Sequence, residues 1–330
     1  MRKTRIWPEP RIVVIGGGTG TSTILRGIKE YTNQITAIIS VMDDGGSTGR
    51  LRKDTDMGAP GDLRNCLISL SNSDDLIKEV LDYRFSEGEL AGHSLGNIFI
   101  TALYGIFGDF NEAILQTGHI LKVTGKVLPV TLDNVNICAK LLDGTDVEGE
   151  SNIPEASHIR NSRIDRIYSK PEKFDILEEA KDEIMNADVV ILGPGSLYTS
   201  IIPNLLAEGM VKSLQATQAK VVYVANIMGQ YGETENHTLK EHYEAVISHS
   251  KSDIIDYVIV NNGIIDTKII EKYEKDFSYP IPYDNSDIEY LKNSNIKVIE
   301  TPLVRVKNGV IRHDADKLAQ IIFNKILKGD

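Results

Sequence analysis

Short apolar runs alternate with amphipathic stretches along most of the chain. RIVVI at 11–15 predicts a strand, residues 24–31 predict a helix, and TAIISVM at 36–42 predicts a second buried strand. The same rhythm returns in the second half, with strands predicted at 187–193, 220–226, 256–262 and 296–301 and helices near 175–186, 203–215, 238–250, 266–275 and 314–328. Wholly apolar strands separated by helices indicate an α/β protein with a doubly wound, mostly parallel sheet covered on both faces.

The middle of the chain departs from this pattern. Residues 62–122 predict mostly helices, and 127–150 predict an antiparallel hairpin that turns at Asp143 and Gly144. Residues 151–172 are polar, and their arginines, spaced three apart, are typical of a solvated helix face and less often of an anion-binding stripe: Arg160, Arg163 and Arg166. We expect one α/β domain over 1–330, with an insertion at roughly 62–172.

Composition and charge narrow the class of protein. The 330 residues carry 36 basic and 47 acidic side chains, a net charge of −11, which argues against nucleic acid as the main partner but not against a small anionic ligand. Two cysteines, Cys66 and Cys138, are expected to be reduced core thiols, and no zinc-site spacing occurs. The segment MRKTRIWPEP has no apolar stretch behind its early charges, so we expect no signal peptide, no membrane insertion and a cytoplasmic location.

A glycine-rich loop follows the first predicted strand. Its residues are Gly16, Gly17, Gly18, Thr19 and Gly20. Glycines at such a turn let a phosphate approach the backbone, and the next helix offers free N–H groups. The loop lacks the Lys-Ser/Thr of a Walker A motif, and Thr21 breaks the dinucleotide-binding fingerprint, which disfavours an NAD-dependent oxidoreductase. We predict phosphate or nucleotide contact, the alternative being a tight turn without a ligand.

A second polar loop follows the second predicted strand. It contains Asp43, Asp44, Gly45, Gly46, Ser47, Arg50 and Arg52. Paired carboxylates at a strand end could hold Mg²⁺ or a hydroxylated ligand, and the arginines could pair with phosphate. So many glycines also suit a solvated, mobile loop.

Two further motifs lie in the predicted helical region. Asp62 and Asn65, in GAPGDLRN, are candidates for ligand contact, although Asp62 could simply cap the next helix. GHSLG at 92–96 matches the nucleophile elbow of serine hydrolases, but no strand precedes it. We therefore expect a helix that begins at Ser94, with His93 and Asn97 facing a site; the alternative is a cap and a satisfied polar pair.

A third small-residue loop follows the strand predicted at 187–193. It supplies Gly193, Gly195, Ser196, Thr199 and Ser200, a second anion cradle at the carboxyl edge of the sheet, unless it is an ordinary strand–helix loop. Other strands end at Asn226, Asn261 and Asn262 on the same edge, where open α/β sheets bind ligands. We also predict that Tyr283, in the irregular segment YPIPYD, and Arg312, just before the last helix, help hold the ligand; the alternative is a packing tyrosine and a surface arginine.

Seven motifs in order resemble one family over roughly residues 11–325. GGGTG, DDGGSTGRLR, PGDLRN, GHSLGN, LDGTDVEGES, LGPGSLYTS and NIMGQYGET are similar to those of the YvcK-like gluconeogenesis factors, in the CofD-like superfamily of 2-phospho-L-lactate transferase. Gly229 and Tyr231 depart from the usual Thr and Pro of the last motif.

The resemblance implies a Rossmann-like α/β/α core, a cytoplasmic location and a role in cell shape and in growth on gluconeogenic carbon sources. It also implies binding of UDP-sugars such as UDP-N-acetylglucosamine. The transferase branch of the superfamily instead implies a guanine nucleotide donor, a deazaflavin acceptor and Mg²⁺, here at Asp43 and Asp44.

Two function classes therefore stay open. The first is a UDP-sugar-binding regulatory factor without turnover, which we favour because the loops supply no evident nucleophile paired with a general base. The second is a transferase of a phosphorus-containing group that uses Mg²⁺, since such chemistry needs little covalent help. The sequence leaves the regulatory partner and the oligomeric state open, a homodimer included.

Overall fold

Twelve strands are formed by residues 8–329, the part of the chain that the computed structural model describes. In chain order they are β1 (Ile12–Gly16), β2 (Ile35–Ile39), β3 (Lys126–Pro129), β4 (Asn136–Leu141), β5 (Asp146–Glu148), β6 (Ile164–Lys170), β7 (Val189–Leu192), β8 (Lys220–Val224), β9 (Tyr257–Asn261), β10 (Lys297–Thr301), β11 (Val304–Lys307) and β12 (Val310–His313).

Helices connect most of these strands. They are α1 (Gly18–Ile28), α2 (Gly46–Thr55), α3 (Pro60–Leu70), α4 (Asp75–Asp82), α5 (Leu95–Phe107), α6 (Phe110–Ile120), α7 (Ile153–Ile159), α8 (Glu178–Met185), α9 (Ile202–Leu205), α10 (Met210–Ala216), α11 (Leu239–Ser250), α12 (Thr267–Glu274), α13 (Asn285–Asn293) and α14 (Ala315–Ile321). A 3₁₀ turn covers Glu150–Asn152, and π-helical turns cover Leu197–Ile201 and Ile322–Leu327.

Seven strands form the central sheet in the order β10-β9-β8-β7-β1-β2-β3, and every neighbouring pair is parallel. The predicted α/β class with a doubly wound, Rossmann-like sheet is confirmed. The chain winds outward from β1 in one direction through β2, and from β7 in the other. The β1/β7 boundary is therefore a topological switch point, where open α/β sheets leave a crevice beyond the carboxyl ends of the strands.

The apolar strands are explained by burial on both faces of this sheet. In β1, Ile12 and Val14 join the core on one face, while Val13 and Ile15 join the core on the other, and all four are at most 1% exposed. Each such side chain contributes about 1.5–3 kcal/mol of burial free energy. This packing holds the strand ends, and the loops that follow them, in fixed positions.

The prediction for 127–150 was wrong in part. Lys126–Pro129 pairs in parallel with β2 and forms the edge of the central sheet, so the region expected as an insertion also supplies a central strand. The expected turn at Asp143 and Gly144 does join an antiparallel pair, β4 and β5, and β6 pairs with the other side of β4. Four residues are too few to show whether a strand is parallel or antiparallel.

Two local predictions also need correction. The three arginines do not share a helix face: Arg160 follows α7, Arg163 lies before β6 and Arg166 lies within it. Arg160 and Arg163 instead form ion pairs with Asp143 and Glu241. The glycine-rich segment after β2 is not a mobile loop from end to end, because residues 46–55 form α2.

Several further observations bear on the class of protein. Cys66 and Cys138 are buried and free, as expected of core thiols. Among residues 8–329, no helix is long and apolar enough to cross a membrane. The inference that there is no signal peptide rests largely on residues 1–7, which lie outside the described residues.

Candidate functional site

A cleft of about 680 Å³ opens at the carboxyl edge of the sheet, beyond β1 and β7. Its wall combines the Gly17–Gly20 turn, the 194–200 loop and the chain from Asn226 to Tyr231. The cleft therefore coincides with the switch point of the sheet. Its volume lies in the range of small-molecule sites.

The two glycine-rich loops touch each other through Gly20. A Cβ on Gly20 would lie 2.4 Å from the Pro194 carbonyl oxygen, so a larger residue would push the loops apart. Thr21 contacts both loops at this point. Its hydroxyl donates to the Gly17 oxygen at 3.1 Å and lies 3.4 Å from the Pro194 oxygen. Thr21, which breaks the dinucleotide-binding fingerprint, therefore links the two loops.

Asp62 lies against the first turn of α1. A Cβ on Gly17 would lie 2.9 Å from the Asp62 Oδ2, and the Gly18 N–H hydrogen-bonds to the carboxylate. Burial raises the pKa of Asp62 to about 6, and neighbouring Asp43 adds to the rise. The alternative that Asp62 simply caps the next helix does not hold, because Asp62 is the third residue of α3 and the N-cap is Ala59. The carboxylate instead interacts with the N–H end of α1, where phosphates also bind.

Three carboxylates meet beside the cleft. One oxygen from each of Asp43, Asp44 and Glu150 lies within 4.8 Å of the other two. Asp43 Oδ1 accepts the Gly45 N–H at 2.8 Å, and Asp44 Oδ1 accepts the Ser151 N–H at 2.9 Å. The turn after β5 therefore brings Glu150 to the end of β2.

Gly149 permits this approach. Its φ is +97°, and a Cβ there would lie 2.5 Å from the Asp44 Oδ2. Burial, followed by the charges of Asp43, Glu233 and Asp44, raises the pKa of Glu150 to about 8. Such crowding of carboxylates favours either a bound proton or a cation.

Glu233 adds a fourth carboxylate to the same wall. Its Oε1 accepts a hydrogen bond from the Thr199 hydroxyl at 3.2 Å, while its buried Oε2 has no partner among the described residues. Burial raises the pKa of Glu233 to about 7. An unpartnered buried oxygen beside other carboxylates is suited to a ligand hydroxyl or to a metal-bound water.

Asn226 fixes the 193–200 loop. Its side-chain amide donates to the Gly195 oxygen at 2.8 Å and accepts the Gly195 N–H at 3.3 Å. Gln230 donates to the Ser196 hydroxyl at 2.6 Å. The loop that follows β7 is therefore also fixed by hydrogen bonds from residues that follow β8. Its hydroxyl-bearing residues line the cleft.

The predicted residues of the GHSLG motif lie behind the cleft rather than in it. Ser94 caps α5 by accepting the Asn97 N–H, and the helix begins where expected. His93 Nδ1 lies 3.0 Å from the Ser47 hydroxyl, and the Asn97 amide donates to the same hydroxyl at 3.3 Å. Arg64 donates to both Ser94 and Asn97. These buried groups support the start of α2, and no nucleophile elbow is present.

The two arginines of the second loop are also engaged within the fold. Arg52 is buried and donates to the carbonyl oxygens of Met42, Asp43 and Val135. Arg50 donates to the Ala91 oxygen at 2.8 Å. Both therefore hold the loops around the acidic cluster instead of pointing to an anion.

Arg312 and Tyr273 also line the cleft. Arg312, on β12, is exposed, and Tyr273, on α12, accepts the Ile311 N–H at 2.8 Å through its hydroxyl. Tyr283 is not brought to this cleft: its hydroxyl donates to Glu300 at 3.3 Å, and its ring packs against the core. The Asn261 side-chain oxygen accepts hydrogen bonds from the Gly263 and Leu303 N–H groups.

Of the predicted residues, the cleft wall contains Gly17, Gly18, Thr19, Gly20, Asp43, Asp62, Gly195, Ser196, Thr199, Ser200, Asn226 and Arg312. The others lie behind or beside it: Gly16, Asp44, Gly45, Gly46, Ser47, Arg50, Asn65, His93, Ser94, Asn97, Gly193 and Tyr283. Sequence reasoning missed Glu150, Gln230, Glu233, Tyr273 and Asp276. Glu150, Gln230 and Glu233 lie in motifs that carried the family resemblance, whereas Tyr273 lies in an ordinary amphipathic helix.

The fold and the cleft define an α/β protein of Rossmann-like architecture with an acidic, glycine-lined cleft at its switch point. The chain belongs to the family of 2-phospho-L-lactate transferase CofD, whose sequence model matches residues 12–304. It is 43% identical over 315 residues to the gluconeogenesis factor of Bacillus subtilis strain 168, covering 95% of this chain and 97% of that protein. It is 39% identical over 315 residues to the gluconeogenesis factor of Halalkalibacterium halodurans, covering 95% and 96%.

A solved structure supports the same relationship. An X-ray structure of a Bacillus halodurans protein superposes with a TM-score of 0.91 at 39% sequence identity, covering 96% of this chain and 99% of that one. Over 95% of its length, the chain is therefore related to proteins named as gluconeogenesis factors.

Proposed function

We propose that this protein is a regulatory factor that binds a UDP-sugar of the UDP-N-acetylglucosamine type without turning it over. In this proposal it acts in the cytoplasm and is needed for cell shape and for growth on gluconeogenic carbon sources. The relatives' shared name, gluconeogenesis factor, supports the proposed role in growth on gluconeogenic carbon sources.

The observation that carries the binding proposal is the cleft of about 680 Å³ at the switch point. A diphosphate placed there would lie between the N–H end of α1 and the hydroxyls of the 194–200 loop. The guanidinium of Arg312 and the ring of Tyr273 also line the cleft. These groups suit a diphosphate and a base or sugar ring, respectively.

The charge of the cleft implies a cation in the complex. Its wall holds five carboxyl side chains and one guanidinium, an unfavourable field for a diphosphate alone: Asp43, Asp62, Glu150, Glu233 and Asp276 against Arg312. Asp43, Asp44 and Glu150 offer close carboxylate oxygens, the donor type that Mg²⁺ prefers. These carboxylates would hold Mg²⁺, which would offset their negative charge beside a bound diphosphate.

The carboxylate cluster also supports a second candidate, a Mg²⁺-dependent transferase of a phosphorus-containing group. The described cleft residues include no nucleophile paired with a general base, which argues against turnover. Ser94 is hydrogen-bonded to Arg64 and lies away from the cleft, and both cysteines are buried. We therefore favour binding over transfer.

Calorimetry tests the binding proposal. UDP-N-acetylglucosamine, UDP, GDP and NAD are titrated into the protein with Mg²⁺, and then with a chelator. We expect the UDP-sugar to bind best, Mg²⁺ to strengthen binding, and Arg312→Gln to weaken it at least tenfold. The matched control is Arg305→Gln, since Arg305 lies opposite Arg312 in the β11–β12 hairpin but pairs with Asp316 outside the cleft. Absence of UDP-sugar binding in the wild-type protein would refute the proposal.

Turnover is tested separately by mass spectrometry. The protein is incubated with UDP-N-acetylglucosamine or a GDP-linked donor, Mg²⁺ and candidate acceptors. Binding without turnover predicts unchanged nucleotide. Catalytic nucleotide release that disappears in Asp43→Asn would instead establish the transferase.

A complementation assay tests the cellular role. We expect the wild-type chain, but not Arg312→Gln, to restore rod shape and growth on a gluconeogenic carbon source in a bacterium that lacks its own gluconeogenesis factor. Equal rescue by both would separate the cellular role from ligand binding.

A further inference from the structure

A second groove adjoins the cleft on the outer side of α1. It has a volume of about 590 Å³ and lies between α1 and the facing parts of α3 and α4. Thr19 and Arg312 line both spaces, so the groove and the cleft meet at these two residues.

The groove has the opposite charge to the cleft. Its wall carries four basic side chains, Arg26, Lys29, Lys78 and Arg312, against the two acidic ones of Glu30 and Asp82. This positive excess occurs in a chain whose net charge is −11. The concentration of cations is therefore a local feature of this groove and not a consequence of composition.

Two of the cations, Lys29 and Lys78, lie near enough to repel each other, and each has oxygen partners within the fold: Lys78 pairs with Asp75 at 3.0 Å. The Lys29 ammonium donates to the carbonyl oxygens of Ser69, at 2.8 Å, and Ser71, at 3.3 Å, so the end of α3 fixes it in place. Burial and the nearby Lys78 charge lower the pKa of Lys29. An anion between the two ammonium groups would relieve this repulsion.

Within residues 8–329, the remaining two cations have no acidic partner. Arg26 donates only to the Ser22 oxygen, at 3.4 Å, and Arg312 only to the Ile311 oxygen, at 3.0 Å, and neither forms an ion pair within residues 8–329. Both are exposed at the groove. Guanidinium groups with free donors match the oxygens of phosphate and carboxylate.

We propose that this groove is a binding site for an oxyanion, a phosphate or carboxylate group, separate from the cleft. The oxyanion is either a free ion or a second charged group on the ligand that occupies the cleft. The site rests on Arg26, Lys29 and Lys78, which line only the groove, together with Arg312, which it shares with the cleft; it does not require that the cleft bind a UDP-sugar.

The first arm of the test uses inorganic pyrophosphate as a free anion, titrated calorimetrically into wild-type protein and into the double variant Arg26→Gln, Lys78→Gln. We expect binding that weakens at least tenfold in the double variant and that weakens further with added salt. Lys212→Gln is the control, because Lys212 is an exposed lysine on α10, outside the groove.

The second arm compares UDP-glucuronic acid with UDP-glucose, which differ by one carboxylate. If the groove holds a second charged group of the ligand in the cleft, UDP-glucuronic acid should bind wild-type protein more tightly than UDP-glucose does. The double variant should lose that difference in affinity. Dependence on Arg26 and Lys78 in either arm supports the proposal, and independence in both arms overturns it. If no UDP-sugar binds at all, the proposed function fails. The pyrophosphate arm still decides whether the groove binds an oxyanion.

Discussion

Replacing Glu150 with glutamine is expected to stabilise the protein at neutral and alkaline pH when no divalent cation is present. Burial, reinforced by the charges of Asp43, Glu233 and Asp44, raises the pKa of Glu150 from 4.5 to about 8. Because the carboxyl group binds its proton more tightly in the folded state, the free energy of unfolding falls as pH rises from 4.5 to 8. Glutamine carries no charge at any of these pH values and avoids this loss.

The size of the effect follows from the shift. A pKa change of this extent changes the free energy of unfolding by at most ~5 kcal/mol. Glu150 remains partly accessible to solvent, so we count about half of this, ~2 kcal/mol, as the gain at pH 8. For a chain of 330 residues, that gain raises Tm by about 3 °C.

Scanning calorimetry between pH 5 and pH 9 measures this difference. We expect the wild-type Tm to fall relative to that of Glu150→Gln as pH rises, and Mg²⁺ to restore the wild-type Tm but to act less on the variant. Glu155→Gln is the control, since Glu155 is an exposed carboxylate on α7 outside the cleft. Parallel pH profiles for wild type and Glu150→Gln would refute the account of a crowded carboxylate cluster.

Three further outcomes are expected. Gly20→Ala should lower the stability by roughly 2 kcal/mol, because its Cβ would lie 2.4 Å from the Pro194 oxygen; an unchanged Tm would contradict this contact. Asp62→Asn should strengthen UDP binding several-fold by removing a negative charge from the N–H end of α1, and weaker binding would show that the carboxylate helps to hold the ligand. Tyr273→Ala should weaken UDP-N-acetylglucosamine binding about tenfold by calorimetry while Tyr283→Ala leaves it unchanged, and the reverse order would place the ring contact on Tyr283.

The sequence predicted the central sheet because its strands are apolar on both faces. Ile12 to Ile15 enter two different cores in alternation, as is typical of a strand in a parallel sheet that is covered on both faces. Glycine at the strand ends then located the switch-point loops. By contrast, β3 has four residues and α2 begins in a glycine-rich segment, so neither shows a periodicity that separates it from a loop or a hairpin.

The composition of the acidic wall could not be predicted from sequence. Glu150 and Glu233 reach Asp43 from a 3₁₀ turn after β5 and from the loop after β8, and no local spacing signals that they converge. Local spacing also failed to separate residues that line the cleft from those that support it. His93 and Asn97 have the right chemistry for a ligand, yet in the fold they hold Ser47.

Crystallography of the protein with UDP-N-acetylglucosamine and Mn²⁺, phased on the anomalous signal of the metal, tests the central claim most directly. The account predicts a metal peak within coordination distance of Asp43, Asp44 and Glu150, with the diphosphate between the Gly17–Gly20 turn and the 194–200 loop. A nucleotide bound elsewhere on the protein, or bound in the cleft with no metal at these carboxylates, would contradict it.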